Sequence, residues 1–180
     1  MLRITIPSAE MWDEINNEFI YTKEQQLSLE HSLVSVSKWE AQYRKPFLSD
    51  KPKSYEETAA YIRCMTVTQN VKPEVYRYIP DEILLKINRY IEAPMTATWF
   101  RAEKNPETGK EIITAERIYY RMIALGIPFE CEKWHLNRLL TLIKVCSEES
   151  KPKKKLSTGE IYSRNSALNA ERRKQLASKG

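Results

Sequence analysis

The first residues of the chain show a strand pattern that gives way to a helical one. Residues 2–6 (LRITI) alternate between apolar and polar side chains, which predicts a short strand that Pro7 ends. Ser8 is then a suitable N-cap for a helix that runs to about Tyr21. The apolar side chains of this helix recur every three or four positions and predict a stripe packed into the core: Met11, Trp12, Ile15 and Phe19.

A second helix is predicted after a brief extended piece at 27–29. Ser32 opens this helix and Pro46 stops it. Its buried side is predicted to consist of Leu33, Val36, Trp39 and Tyr43. Alternating serine and valine at 34–37 would also suit a strand, and the pattern alone leaves that alternative open.

The next helices are marked by their first residues. Ser54-Tyr-Glu-Glu57 is a capping box, in which the Ser hydroxyl and the Glu carboxylate satisfy free backbone N–H groups, and it predicts a helix to about Val67. Proline suits the first turn of a helix. Pro73 therefore predicts a short helix at 73–78, and Pro80 predicts a longer one at 80–92.

A small β-ribbon is predicted in the middle of the chain. Residues 96–100 (TATWF) have strand character, 105–109 (NPETG) form a turn sequence, and 111–113 would be the return strand. The charged tip of this ribbon, Lys104–Lys110, is a secondary candidate for partner contact.

Two helices complete the predicted body. Thr114 caps the first, and Gly126 provides the left-handed residue that ends it. The second, at 130–146, has a wide apolar face made of Trp134, Leu136, Leu139, Leu140, Ile143 and Val145.

The predicted fold is therefore mainly α, with a compact helical domain at 1–148 that includes the N-terminal strand and the ribbon. A basic linker follows at 149–156, where Pro152 prevents a continuous helix. Residues 157–180 form a basic C-terminal helix or disordered tail. A second capping box, Ser157-Thr-Gly-Glu160, starts that helix, but few apolar side chains follow it.

Positive charge is concentrated in this C-terminal part. Residues 151–180 contain nine Lys or Arg and two Asp or Glu, a net of +7, whereas the whole chain has a net of +5. The body is therefore mildly acidic. The tail can bind phosphates, fold against an acidic partner surface, or act as a solvated solubility arm. Aromatic residues that would support single-strand binding are nearly absent, with only Tyr162 in the tail.

The body offers little catalytic or cofactor chemistry. Four glycines and no GxSxG or Walker-type sequence argue against nucleotide-binding and hydrolase folds, and we expect no cofactor and no enzyme. The carboxylate pairs Glu56/Glu57 and Glu130/Glu132 are adjacent or nearly so on a helix, which is typical of caps and solvated faces. With no apolar signal segment and no long apolar run, we expect reduced cysteines and no membrane partner.

Two histidines and three cysteines are the remaining candidates for metal ligands. Cys131 and His135 are four residues apart and would share one face of the predicted helix at 130–146, a spacing that can supply two metal ligands. His31, Cys64 and Cys146 have no matching spacing. We therefore predict a buried structural role for this pair and no metal site.

Several blocks of the chain resemble proteins from the tail genes of long-tailed bacteriophages. They are WDEINNEFI (12–20), LSLEHSLVSVSKWE (27–40), IEAPMTATWF (91–100), EIITAERIYYRMIALGIPFECEKWHLNRLLTLIKV (111–145) and SRNSALNAERRKQLASKG (163–180). Proteins of this kind are usually assigned as tail assembly chaperones. The resemblance implies a non-enzymatic protein that coats the tape-measure protein before tail-tube subunits polymerise around it, in the cytoplasm of the infected host.

The expected partners are accordingly the tape-measure and tail-tube proteins, with a homo-oligomer as a further option. The partner-binding residues predicted in the tail are Lys153, Lys154, Lys155, Arg164, Arg172, Arg173 and Lys174. Two alternatives are a nucleic-acid-binding accessory protein that uses the same basic arm, and a structural tail or connector component retained in the virion.

Overall fold

The computed structural model describes residues 1–13, 17–98, 100, 112–150 and 158–176. Its strands are β1 (Leu2–Ile6), β2 (Ala9–Asp13), β3 (Glu18–Thr22) and β4 (Gln25–Leu29). Its α-helices are α1 (Leu33–Tyr43), α2 (Tyr55–Met65), α3 (Asp81–Glu92), α4 (Ala115–Ala124), α5 (Leu136–Ser150) and α6 (Thr158–Leu176). Two 3₁₀ helices span Pro73–Tyr76 and Phe129–Lys133.

The mainly α class is confirmed, with the strands confined to the N-terminal part of the described chain. The chain divides into two units, Met1–Ser147 and Glu148–Gly180. Helix α5 runs to Ser150, slightly past the predicted start of the linker at 149. The rest of that linker, 151–156, lies outside the described residues.

The predicted N-terminal strand is confirmed as β1, which pairs antiparallel with β4. Alternation places Ile4 and Ile6 of β1, and Leu27 and Leu29 of β4, in the hydrophobic core. The segment that follows α2 also bonds to this sheet, because the Val67 N–H donates to the carbonyl of Ser28. The predicted extended piece at 27–29 is thus part of β4.

The helix predicted from Ser8 to Tyr21 is wrong, because Ala9–Asp13 and Glu18–Thr22 pair as the antiparallel strands β2 and β3 of a hairpin. Asn17 has a φ of 55°, a left-handed conformation that Asn tolerates better than most residues, at the β3 end of the connection. Glu18–Thr22 is rich in aromatic and β-branched residues that favour strands. Trp12 and Phe19, predicted to be core, are exposed, and Ile15 lies outside the described residues.

Helices α1 and α2 begin where their caps predicted. The Ser32 hydroxyl accepts from the Ser35 N–H at the start of α1, and Arg44 ends that helix in a left-handed conformation. The strand alternative for 34–37 is therefore wrong. At α2 both bonds of the predicted capping box are present, 3.2 Å from the Glu57 N–H to the Ser54 hydroxyl and 2.9 Å from the Ser54 N–H to the Glu57 carboxylate.

Helix α4 begins and ends as predicted, but its N-terminus is capped from elsewhere. The side chain of Thr114 forms no capping bond. Instead, a Glu40 carboxylate oxygen accepts the Ala115 N–H at 2.7 Å. At the other end Gly126 has a φ of 64°, and the Ile127 N–H donates to the Met122 carbonyl at 2.8 Å, as in a Schellman motif.

The single helix predicted at 130–146 is wrong in its first turn. A 3₁₀ helix at Phe129–Lys133 is followed by Trp134 in extended conformation, and α5 begins only at Leu136. The break is held from outside, because the Leu136 N–H donates to the His31 carbonyl at 2.8 Å. A continuous helix would direct that N–H back along its own axis.

The predicted β-ribbon is not formed by those of its residues that the structure describes. Residues 96–98 and 112–113 are neither strand nor helix. Trp99, the turn at 105–109 and the tip at Lys104–Lys110 lie outside the described residues. The short helix predicted at 73–78 is the 3₁₀ helix Pro73–Tyr76, and the longer one at 80–92 is confirmed as α3.

Candidate functional site

Three aromatic side chains share one face of the β2–β3 hairpin. Trp12 lies directly across from Phe19, and Tyr21 follows Phe19 at the next position on the same side of β3. The ring centroids of Trp12 and Phe19 are 4.8 Å apart at an edge-to-face angle, and those of Phe19 and Tyr21 are 6.4 Å apart. We call these three residues the aromatic face.

The aromatic face is open to solvent. Trp12, Phe19 and Tyr21 are 48%, 55% and 71% exposed. Ile20, which points to the opposite side of β3, is half-buried, and β3 contacts the 3₁₀ helix at Pro73–Tyr76. The hairpin therefore has one side toward the body and an aromatic side toward solvent. Clustered exposed aromatic residues are enriched at protein–protein contacts.

The hairpin is acidic as well as aromatic. Residues 9–22 contain Glu10, Asp13, Glu14 and Glu18 and no Lys, Arg or His. Glu10 lies across from Tyr21, and the pKa of Tyr21 is raised, first by its hydrogen bond to the Glu10 carboxylate and then by the charge of that group. A ring surface beside the Glu10 carboxylate suits a cationic partner group better than an anionic one.

The predicted tail residues are only partly within the described chain. Arg164, Arg172, Arg173 and Lys174 are exposed on α6, whereas Lys153, Lys154 and Lys155 lie outside it. Consecutive residues are about 100° apart around a helix, so the cations at 172–174 spread over about 200° of α6 and do not form one narrow stripe. Cations on α6 therefore point in several directions.

The two histidines meet in a buried polar cluster. The His31 Nδ1 and Tyr61 hydroxyl are 2.5 Å apart, and the His31 and His135 ring centroids are 5.0 Å apart. His135 Nε2 donates to the Tyr90 carbonyl at 2.9 Å, while its Nδ1 accepts the Asn137 N–H at 3.3 Å. These bonds specify a neutral His135 with its proton on Nε2.

Burial keeps this cluster uncharged. It lowers the pKa of His31 to about 3, with His135 adding to the effect, and it also lowers the pKa of His135. It likewise raises the pKa of Tyr61. Two neutral histidines, with Nδ1 of His31 and both ring nitrogens of His135 bonded to protein partners, connect the start of α1 to the start of α5. They are not poised for acid–base work.

The shared helical face predicted for Cys131 and His135 does not exist. Cys131 is in the second 3₁₀ helix, whereas His135 precedes α5 beyond the extended Trp134. Both are buried, as predicted for structural residues. Among the described residues no three His, Cys, Asp or Glu side chains are grouped to hold a metal ion.

A groove of about 840 Å³ lies beside Trp39. Lys53 is on its wall, with Nζ 4.2 Å from the Phe47 ring centroid, and burial lowers the pKa of this lysine. Lys45 on the same wall is paired with Glu57 at 2.7 Å. The groove also reaches Ile112, whose preceding residues 101–111 lie outside the described chain, and we assign it no ligand.

Sequence reasoning missed the aromatic face although a signal for it was present. Residues Glu18–Thr22 have strand character, and the two asparagines before them favour a turn, so together they indicate a hairpin. The apolar side chains of the same segment also recur at helical spacing, and that spacing predicted the helix.

The chain matches no protein-family model, no curated protein and no solved structure. Within the described ranges, no helix has both the length and the apolar character needed to cross a membrane.

Proposed function

We propose that this chain is a non-enzymatic phage tail assembly chaperone that binds the tape-measure protein, tail-tube subunits or both. The observation that carries the proposal is the aromatic face. A protein that covers apolar stripes of another chain needs exposed apolar surface of its own, and three exposed rings on one hairpin provide it. The resemblance of the sequence blocks to phage tail proteins supplies the identity of the client.

The size of the surface suits reversible binding. An aromatic side chain buries about 150–250 Å² when fully covered, so three half-exposed rings supply only a fraction of the roughly 1,200 Å² or more of a stable interface. A chaperone must release its client when tube subunits arrive, and a small aromatic contact helped by charge meets that need. The tail cations predicted to bind partners would add a salt-sensitive contribution.

The proposal is tested by affinity purification from cells infected with the phage that encodes the chain, with mass spectrometric quantification of tape-measure and tail-tube proteins. Tyr21→Ser should reduce their recovery severalfold. Tyr120→Ser is the matched control, because Tyr120 on α4 is 69% exposed, close to the 71% of Tyr21. Equal recovery with both variants would contradict a role for the aromatic face, and absence of both phage proteins from the wild-type sample would contradict the function.

A second candidate function, nucleic-acid binding, is favoured by the exposed cations of α6. Treating the same sample with nuclease separates the two, since recovery through nucleic acid disappears and direct protein contact persists. If the tail contacts phosphates, replacing Arg172 and Arg173 by alanine should reduce the slope of log affinity against log salt by about 2. A structural role in the virion instead predicts the chain in purified particles at fixed stoichiometry.

A further inference from the structure

The aromatic face and the basic tail of this chain have complementary properties. Glu10 lies on the aromatic face across from Tyr21, and residues 9–22 contain three further acidic residues and no basic residue, whereas 151–180 have a net charge of +7. Opposite charge on two segments of one protein promotes association between copies as well as contact within a copy. Complementarity of charge is therefore the first argument for what covers the aromatic face.

The chemistry of the tail provides the second argument. Arginine stacks on aromatic rings through its planar guanidinium and retains its charge while doing so. Arg164, Arg172 and Arg173 are exposed on α6, and the aromatic face offers three rings beside the Glu10 carboxylate. A segment carrying arginines thus finds both an ionic partner and ring surfaces on one hairpin.

The state of α6 provides the third argument. Its described side chains from Tyr162 to Lys174 are all exposed, and its few apolar groups include Tyr162 at 75% exposure. A helix that is polar on all sides gains little from its own sequence and is stabilised by packing or by charge pairing with another surface. An acidic aromatic hairpin is such a surface.

We infer that the aromatic face of one copy binds the basic tail of a second copy, so that the protein associates head to tail. Such an interface is heterologous, because the two contacting surfaces differ, and each added copy leaves one free face and one free tail. This inference rests on the proposed function in one respect, that the aromatic face is a protein-binding surface. The tail of a second copy then occupies that surface until a client displaces it.

The test uses purified full-length protein and measures mass by light scattering and sedimentation across a wide concentration range. The wild-type mass should rise with concentration and fall with added salt. A face variant, Trp12→Ser with Tyr21→Ser, and a tail variant, Arg172→Glu with Arg173→Glu, should each associate at least tenfold more weakly. The Tyr120→Ser control should associate as the wild type does.

Mixing the two variants tests whether the face of one copy binds the tail of another. The face variant retains an intact tail and the tail variant an intact face, so the mixture should form one-to-one dimers although neither variant associates alone. No dimer on mixing would overturn the inference. Contact within one chain instead predicts a wild-type protein that is monomeric at every concentration, and that result would overturn the inference as well.

Two further variants protect the test against misfolding. Glu10→Lys retains all three rings and should weaken association by removing the ionic partner. Combining Glu10→Lys with the tail variant in one chain should restore part of the association, which a general folding defect would not do. These measurements contain no phage protein, so a lack of self-association does not decide the proposed function, which is judged by the recovery of tape-measure and tail-tube proteins. Conversely, loss of that recovery would not change the self-association measured here.

Discussion

The carboxylate of Glu40 provides the sharpest test of how this fold is held together. Glu40 is 7% exposed on α1, and its two oxygens accept different backbone N–H groups, that of Phe47 and that of Ala115, each at 2.7 Å. One bond fixes the loop after α1, and the other caps α4, which begins 75 residues later in the chain. Both donors would otherwise be buried without a partner.

The substitution Glu40→Gln keeps the shape and removes one acceptor. Its amide oxygen can accept one N–H, but the NH₂ group then faces the other N–H donor. A hydrogen bond to a charged group contributes about 1.5–3 kcal/mol, and an unsatisfied buried donor costs about 1–3 kcal/mol. Relief from burying a charge offsets part of this loss. We expect a net destabilisation of about 2–4 kcal/mol for Glu40→Gln, and a larger one for Glu40→Ala, which leaves both donors unpaired.

Urea unfolding followed by circular dichroism measures these differences. Glu24→Gln is the control, because Glu24 is exposed between β3 and β4 and its substitution should change stability by no more than about 0.5 kcal/mol. Hydrogen exchange adds a local readout, since the amides of Phe47 and Ala115 should lose protection in the Glu40 variants. A Glu40→Gln protein as stable as the control, with both amides protected, would refute this account of the carboxylate.

Three further predictions concern other local features of the fold. The pKa of His31 is about 3 in the folded protein and 6.5, its ordinary value, in the unfolded chain. Between these pH values the unfolded state binds more protons than the folded state. The free energy of unfolding should therefore fall by about 4 to 5 kcal/mol as the pH falls from 6.5 to 3. Urea unfolding at several pH values should show that His31→Gln has a smaller pH-dependent loss than the wild type, and equal losses would contradict the assignment. Gly126→Ala meets no atom within 4 Å of the added Cβ but must adopt a φ of 64°, so thermal unfolding should show a cost of about 1 kcal/mol, and Gly126→Asn should cost less. The Asn137 amide donates to the carbonyls of Ile91 and Ala93 at 2.9 Å each. Asn137→Asp places a negative charge at the C-terminus of α3 and should therefore be more destabilising than Asn137→Ala. The reverse order would be inconsistent with that geometry.

Local signals predicted those features of the fold that depend on neighbouring residues. The capping box at Ser54, the proline starts of the helices near 73 and 80, and the left-handed Gly126 each follow from interactions within about five residues. The sequence could therefore place most helix ends without knowledge of the tertiary structure.

Features determined by distant residues could not be predicted in this way. The Thr114 side chain forms no capping bond because Glu40 supplies the acceptor for α4 from another helix. The helix predicted at 130–146 is interrupted because the His31 carbonyl accepts a hydrogen bond from the Leu136 N–H. Neither partner is marked in the sequence by spacing or motif, since each contact joins segments that meet only in the folded chain.

The aromatic face could not be predicted from the spacing of apolar residues, because its rings pack across the two strands of the hairpin and are also exposed to solvent. A two-stranded hairpin is marginal by itself, and a cross-strand ring pair such as Trp12 and Phe19 contributes about 0.5–1.5 kcal/mol to holding it together. Replacing Trp12 therefore weakens the hairpin and removes partner surface at once. Tyr21 lies across from Glu10 and not from a ring, so Tyr21→Ser leaves that pair in place. Loss of binding by Tyr21→Ser with the Trp12–Phe19 contact still visible by NMR would therefore assign the binding to the surface itself.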